Sequence, residues 1–232
     1  MRFDILTLFP EMFPGYTGQS ILNKSIERGL VEVHVHNMRD WAKGRHHKID
    51  DTPYGGGSGM ILMVEPVVNC VRDVQAMGDQ PGTVIVTTPQ GQRLNQPMVE
   101  ELALNQRMIL LCGRYEGFDQ RVIDILQPLE ISIGDYILNG GEVASMVLVD
   151  SLVRMVPGVL GDERSSWDDS FSRGNRMLEY PQYTRPRDYE GYKVPEILVS
   201  GDPKKIHDWQ KSEALKKTMQ VRPDLLEKNK RV

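Results

Sequence analysis

The spacing of apolar residues along the first 157 positions predicts strands and helices in alternation. Runs in which apolar and polar residues alternate, or in which β-branched residues follow one another, predict strands. These runs lie at residues 2–9, 31–35, 83–88, 107–112 and 129–133. Apolar residues spaced three and four apart predict helices. These helices lie at residues 19–28, 65–77, 95–105, 119–126 and 142–153, and the last is predicted to be largely buried. The alternation predicts an α/β domain, a parallel sheet with helices on both faces.

Three consecutive predicted strands end in turns rich in glycine or proline. The turns read TTPQG, CGRYEG and IGDYILNGG, and a predicted helix follows each of them. Ligands of open parallel sheets bind beyond the carboxyl ends of the strands, so the three turns could converge on one pocket. Glycine lets the backbone approach a ligand closely, but it also serves ordinary turns that need positive φ. The pattern alone leaves both interpretations open.

The remaining sequence changes character after Pro157. Residues 157–175 are polar and lack periodicity, whereas residues 203–221 have the apolar spacing of one long helix. We therefore predict a first domain over residues 1–160, a linker over 161–180 and a small, all-helical C-terminal domain over 181–232. A domain of about fifty residues buries little apolar surface by itself.

Composition places the chain among soluble globular proteins. It has 232 residues, of which 40% are hydrophobic and 26% are charged. Its two cysteines, Cys70 and Cys112, lie far apart in apolar segments, which favours buried thiols in a reducing compartment over a disulfide. Polar residues interrupt the first apolar run, and no apolar run approaches the ~20 residues that span a bilayer. We expect a cytoplasmic protein without a membrane segment.

Charge is unevenly distributed. The net charge is −4, yet residues 201–232 hold nine Lys and Arg against five Asp and Glu. A second group of cations lies in the long predicted loop 39–59, where four basic side chains form what we call the basic loop: Arg39, Lys43, Arg45 and Lys48. Both regions could face a polyanion, although a solvated surface explains them equally well. His34 and His36 share one strand face without a well-spaced third ligand, which favours a solvated face over a metal site.

Eight stretches, taken in order, resemble the bacterial tRNA (guanine-N1)-methyltransferases of the SPOUT class. They read LFPEMF, DDTPYGGGSGM, TPQG, LCGRYEGFDQRV, SIGDYILNGGE, PGVLG, DDSF and YPQYTRPRDYEG, and together they span nearly the whole chain. The resemblance implies a knotted α/β fold, an exception to the rule that chains do not thread loops. It also implies a homodimer with shared active sites, a C-terminal domain that helps to bind tRNA, and the guanosine immediately 3′ of the anticodon as substrate.

The resemblance further implies that the three turns bind S-adenosylmethionine, with a magnesium requirement for the proton-transfer step left open. No protein metal ligands are predicted. The cofactor contacts that match the family motifs are Thr87, Thr88, Pro89, Gly113, Tyr115, Glu116, Gly117, Ile133, Gly134, Asp135, Tyr136, Ile137, Leu138, Gly140 and Gly141.

Two further residues match the catalytic positions of the family. Guanine carries a proton on ring nitrogen 1, and a carboxylate within reach can take it. A guanidinium can then stabilise the negative charge that develops on the neighbouring oxygen. The resemblance assigns these roles to Asp169 and Arg154. By spacing alone, Arg154 could simply pair with Asp150 one helical turn earlier, and Asp169 could cap a short helix or lie in solvent.

Two other functions remain open at this stage. A knotted methyltransferase could act on a different RNA position, or the chain could be a non-catalytic RNA-binding module with the same fold.

Overall fold

The computed structural model describes residues 1–161, 169–172 and 176–228. The chain forms two compact units, Met1–Gly161 and Asp162–Val232. The first unit contains seven strands and six α-helices among the described residues. In chain order these are β1 (Arg2–Thr7), α1 (Pro14–Thr17), α2 (Ser20–Glu27), β2 (Glu32–Asn37), β3 (Asp50–Asp51), β4 (Ile61–Leu62), α3 (Val64–Ala76), β5 (Thr83–Arg93), α4 (Gln96–Leu102), β6 (Arg107–Cys112), α5 (Gln120–Leu126), β7 (Leu129–Ser132) and α6 (Gly141–Val153).

Five of these strands form one parallel sheet in the order β2–β1–β6–β5–β7. At the centre of the sheet, Phe3 of β1 pairs with Val33 of β2 on one side and with Met108 of β6 on the other. The short strands β3 and β4 form a separate antiparallel pair. The predicted parallel α/β architecture is therefore confirmed.

The central strands bury side chains on both faces. Along β6, Met108 and Leu110 belong to one apolar cluster, whereas Ile109 and Leu111 belong to the other. This alternation is the two-residue period of a strand that has helices on each side. Helices α2, α4 and α6 cover the first face, and α3 and α5 cover the second.

Strand β5 continues past the proline that was predicted to end it. Thr87 and Gln92 both pair with Ile131 of β7, so residues 88–91 form a bulge and pairing resumes beyond them. Gly91 lies so close to β7 that a Cβ there would be 2.5 Å from the backbone nitrogen of Ile131. Proline removes one donor from a ladder, but it does not prevent pairing after a bulge.

A buried ionic network joins the amino ends of β1 and β6. The carboxylate of Asp4, which is fully buried, accepts hydrogen bonds from Arg2 and Arg107 at 2.8–2.9 Å, and His36 lies 2.9 Å away. Burial alone would raise the pKa of Asp4, but the hydrogen bonds from His36, Arg2 and Arg107 outweigh it and hold that pKa well below its usual range. His36 is therefore tied to Asp4 rather than solvated as predicted.

The second unit contains a long helix, α7 (Pro203–Val221), and a short one, α8 (Asp224–Lys228), among its described residues. Residue 178 packs on α7, because its N–H donates to the hydroxyl of Thr218 at 3.0 Å. Whether residues 161–180 act as a linker stays a prediction. In the described part of the chain, no helix has both the length and the apolar character needed to cross a membrane.

The all-helical prediction for residues 181–232 is wrong in one place. Strands β8 (Asp188–Tyr189) and β9 (Tyr192–Lys193) pair in an antiparallel hairpin. The two residues between them, Glu190 and Gly191, have φ of 52° and 86°. Two consecutive left-handed residues form the tight turn whose twist matches a hairpin.

Candidate active site

A cavity of about 500 Å³ lies at the bulge of β5 and at the carboxyl ends of β6 and β7. Three chain segments form most of its wall: one lies within β5, one follows β6, and one includes the end of β7 and the turn after it. They are residues 86–90, residues 113–118, and residues 130–141 with the exception of 135. The cavity thus occupies the position in which parallel sheets bind ligands.

The junction between β6 and α6 is built on two glycines. The N–H of Gly141 donates to the carbonyl oxygen of Gly113 at 2.8 Å, and Thr87 donates its hydroxyl to the carbonyl of Gly141 at 3.4 Å. A Cβ on Gly141 would lie 2.6 Å from that hydroxyl and 2.8 Å from the backbone nitrogen of Gly113. Only glycine lets helix α6 begin this close to the end of β6.

The turn after β6 is held from outside the cavity by the chain that precedes α3. The N–H of Glu116 donates to the carbonyl of Met60 at 3.0 Å, and that of Leu62 donates to the carbonyl of Gly117 at 2.9 Å. Tyr115 adopts φ of 59°, which is unusual for a bulky residue. Backbone strain of this kind is commonly retained where a binding site requires it.

The turn after β7 presents apolar side chains at the rim of the cavity. Ser132 closes the turn, because its hydroxyl accepts from the N–H of Gly134 at 3.2 Å and donates to the carbonyl of the same residue at 3.1 Å. Tyr136, Ile137 and Leu138 follow and are 55%, 80% and 39% exposed. An apolar rim around backbone polar groups is typical of pockets for small organic ligands.

Comparison with known protein families matches residues 1–228 to the family described as tRNA (Guanine-1)-methyltransferase TrmD. The chain belongs to this family. Among its relatives, a tRNA (guanine-N(1)-)-methyltransferase of Rhodopirellula baltica is 62% identical over 227 residues, which cover 97% of this chain and 94% of the relative. Proteins of the same name from Dictyoglomus turgidum and Bacillus cereus are 53% and 50% identical. Each match covers 98% of this chain, with 91% and 92% of the respective relatives. The resemblance drawn from the eight stretches is thereby confirmed.

In this member of the TrmD family, the predicted cofactor residues gather around the cavity with one exception. All of them except Asp135 line its wall. The carboxylate of Asp135 is instead exposed and lies 3.5 Å from the guanidinium of Arg93. Several lining residues were missed by the sequence prediction: Gln90, Arg114, Phe118, Glu130, Ser132, Asn139 and Ala144. Most of them lie inside or beside the three turns. Their closeness in sequence to the predicted contacts was the signal that could have identified them.

The two predicted catalytic residues of this TrmD-family chain lie in different units. Arg154 is exposed and caps the carboxyl end of α6 in the first unit. Asp169 is half-buried in the second unit, where its carbonyl accepts from the N–H of Ser172 at 3.1 Å. The neighbouring Asp168 lies outside the described residues.

The two cysteines are buried, and two cations of the basic loop form ion pairs. Burial raises the pKa of the Cys112 thiol, whose sulfur lies 3.2 Å from the hydroxyl of Ser145, and Cys70 is likewise buried as a free thiol. Two cations of the basic loop are paired, Lys43 with Glu65 and Lys48 with Asp51. Within the described ranges, no three His, Cys, Asp or Glu side chains are grouped as a metal site would require.

Proposed function

We propose that this chain transfers a methyl group from S-adenosylmethionine to ring nitrogen 1 of the guanosine immediately 3′ of the anticodon in tRNA. The observation that carries the proposal is the match of residues 1–228 to one family, whose relatives are named for tRNA (guanine-N1) methylation. The cavity beside β5, β6 and β7 supports the proposal, because its size is usual for a small-molecule site.

The cavity suits S-adenosylmethionine in both size and lining. Its ~500 Å³ falls within the range of about 300–1,000 Å³ that is usual for small-molecule pockets. At Gly113, Gly134 and Gly141, neighbouring protein atoms already occupy the space that a Cβ would need, so glycine lets the walls of the cavity pack closely. Residues 113–117 and 133–141 would hold the adenosine and methionine parts. When bound, this cofactor supplies a methyl group that its sulfonium has already activated.

Asp169 and Arg154 would manage the proton and the charge. The carboxylate of Asp169 takes the proton from ring nitrogen 1, which makes that nitrogen nucleophilic. Negative charge then develops on the adjacent guanine oxygen, and the guanidinium of Arg154 stabilises it. Correct alignment of the two reactants accounts for much of the remaining rate enhancement. Whether the proton-transfer step also needs magnesium is left to experiment.

The path of the chain supports the knotted SPOUT topology. After β7, at the edge of the sheet, the chain returns past β5 to the end of β6, where Arg114 and Gly140 form a backbone bridge. Helix α6 then packs across the interior strands rather than at the edge. The proposed knot would require a return of this kind.

Exposed apolar residues on α6 support a homodimer. The helix is apolar on nearly all sides: one side packs in the core, whereas Val143 and Val147 are 48% and 43% exposed. Phe9 and Met12, which precede α1, add two half-exposed apolar side chains in the same unit. A second copy that covers α6 would place residues of both chains at each active site, as the family resemblance implies. An exposed apolar face of this kind is a usual sign of a protein interface.

The second unit and the basic loop would bind the tRNA. Helix α7 is polar on most of its surface and contains five lysines: Lys204, Lys205, Lys211, Lys216 and Lys217. Lysine side chains bind the phosphate backbone without reading the sequence. Because tRNA is the substrate, the enzyme would act in the cytoplasm.

Methyl transfer from labelled S-adenosylmethionine to unmodified tRNA tests the proposal, with the modified nucleotide mapped by nuclease digestion and mass spectrometry. We expect label on the guanosine 3′ of the anticodon for the wild type and a kcat lower by about 10²–10⁴-fold for Asp169→Asn. Repeating the assay with and without magnesium tests the metal requirement. Label at another position would indicate a different RNA specificity. Cofactor binding without transfer would indicate a non-catalytic module, and equal rates for wild type and variant would exclude Asp169 as the base.

A further inference from the structure

A buried carboxylate lies directly behind the cavity wall. Glu142 is in the first turn of α6 and is 0% exposed. One of its oxygens, Oε1, accepts a hydrogen bond from the hydroxyl of Thr7 at 2.8 Å. The other, Oε2, lies 2.9 Å from Nε of Arg114. That N–H does not point at the oxygen, so the contact is an ion pair, and neither atom has a hydrogen-bond partner among the described residues.

Both partners of Glu142 are themselves fixed. The hydroxyl of Thr7 accepts from the N–H of Phe9 at 2.9 Å, so its own proton is directed to the carboxylate. The guanidinium of Arg114 lies 4.4 Å from the centre of the Phe9 ring, and its Nη1 donates to the carbonyl of Asn139 at 3.2 Å. The carboxylate therefore connects β1, the turn after β6 and the turn after β7.

The glycine at position 140 fits this arrangement. A Cβ there would lie 2.3 Å from Nε of Arg114 and 2.6 Å from Oε2 of Glu142. The space beside Gly140 is thus filled by the ion pair. Burying a charged side chain costs free energy, which its ion-pair partner only partly offsets. An apolar side chain could fill the same space, so the carboxylate of Glu142 needs another explanation. The reason that the geometry offers is alignment, because Arg114 and Asn139 belong to two turns that meet each other and both line the cavity.

We propose that Thr7 and Glu142 are positioning residues that act through Arg114. Together they hold residues 113–117 and 136–141 at the separation that binds the methyl donor. This inference rests on the proposed function, because it assumes that S-adenosylmethionine binds in the cavity.

Thr7→Val and Thr7→Ser test the proposal with the smallest changes. Valine keeps the shape of threonine and removes the hydroxyl, whereas serine keeps the hydroxyl. We expect the Kd for S-adenosylmethionine, measured by titration calorimetry, to rise about tenfold in Thr7→Val and to return to within about threefold of the wild type in Thr7→Ser. The kcat at saturating cofactor should change less than the Kd, because the lost interaction acts on binding.

Glu142→Gln tests the ion pair itself. Its amide NH₂ group would face the N–H groups of Arg114, so we expect the affinity for the cofactor to fall at least as far as in Thr7→Val. Asp4→Asn is the matched control, since Asp4 is also a buried carboxylate paired with an arginine but lies at the opposite end of β1. It should lower the melting temperature without changing the Kd. A double-mutant cycle of Thr7→Val with Arg114→Lys should give a combined loss smaller than the sum of the two single losses.

The outcomes separate this inference from the function on which it rests. A wild-type protein that binds no S-adenosylmethionine would remove the proposed function and this inference together. A wild type that binds it, with Thr7→Val and Glu142→Gln lowering only the melting temperature as Asp4→Asn does, would overturn the positioning role alone. A Glu142→Gln variant that does not fold leaves Thr7→Val and Thr7→Ser to decide.

Discussion

Replacing Gly141 with alanine would put a methyl carbon into space that other atoms already occupy. The new Cβ would lie 2.6 Å from the hydroxyl oxygen of Thr87, 2.8 Å from Cα of Cys112 and 2.8 Å from the backbone nitrogen of Gly113. Ordinary van der Waals contacts begin near 3.4 Å. Two of the three neighbours are backbone atoms of a fully buried strand and its turn, so α6 itself must shift.

The expected loss of folding stability in Gly141→Ala is the sum of three contributions. Overpacking of this kind typically costs about 1–3 kcal/mol. Stretching the hydrogen bond from Gly141 to Gly113 costs about 1 kcal/mol more. The higher helix propensity of alanine offsets at most about 1 kcal/mol. The net loss is about 2 kcal/mol, which corresponds to a melting temperature lower by about 4–8 °C in a chain of this size.

The measurement is thermal unfolding by circular dichroism at one fixed protein concentration, followed by titration with S-adenosylmethionine. Gly15→Ala is the matched control, because Gly15 lies in α1 with no atom within 4 Å of its Cβ position. It should leave stability unchanged or raise it by up to about 1 kcal/mol. If Gly141→Ala melted within about 1 °C of the wild type and bound the cofactor equally well, the close approach of α6 to β6 would not constrain the site as argued.

Three further predictions concern other parts of the chain. The pKa of Asp4 is lower in the folded state than in the unfolded state, so its stabilising effect is present at neutral pH and is lost as the pH falls below about 4. Asp4→Asn should therefore be less stable than the wild type by about 3 kcal/mol at pH 7, and the difference in denaturant midpoint should shrink below pH 4; a constant difference would contradict this. Val147→Lys should give monomers in analytical ultracentrifugation, whereas Ile125→Lys, which changes an equally exposed residue on α5, should not. If the four cations of the basic loop contact phosphates, the affinity for tRNA should fall about fifty-fold between about 50 and 200 mM salt. An affinity that does not change with salt would show that these cations do not contact the phosphates.

The local pattern of apolar and polar residues predicted much of the secondary structure. The continuous apolar run at Arg107–Cys112 predicted a fully buried strand, and β6 has those bounds. Helix α7 has the predicted bounds as well, and the side chain of Asp119 accepts from the N–H of Arg121 at the start of α5. Such features depend on neighbours a few residues away, so the local sequence contains the information that determines them.

The sequence predicted part of the candidate site. The three turns were identified by their glycines and by the strands before them, and the family resemblance then named most of the residues around the cavity. Helix α6 was predicted to be largely buried, and most of it is, but Val143 and Val147 are about half exposed in the single chain. A helix that is apolar on all sides looks the same in sequence whether its own core or another surface covers it.

The sequence by itself determined the order of the five strands of the main sheet and of helices α2 to α6, the turns that line the cavity, and the family. Only the tertiary structure decided what the polar residues inside β1 do. Asp4 and Thr7 read as interruptions of an apolar run, yet they meet Arg107 and Glu142, which lie 103 and 135 positions away. The cost of burying a polar group depends on whether a partner reaches it in three dimensions, and partners so distant along the chain leave no trace in the local pattern.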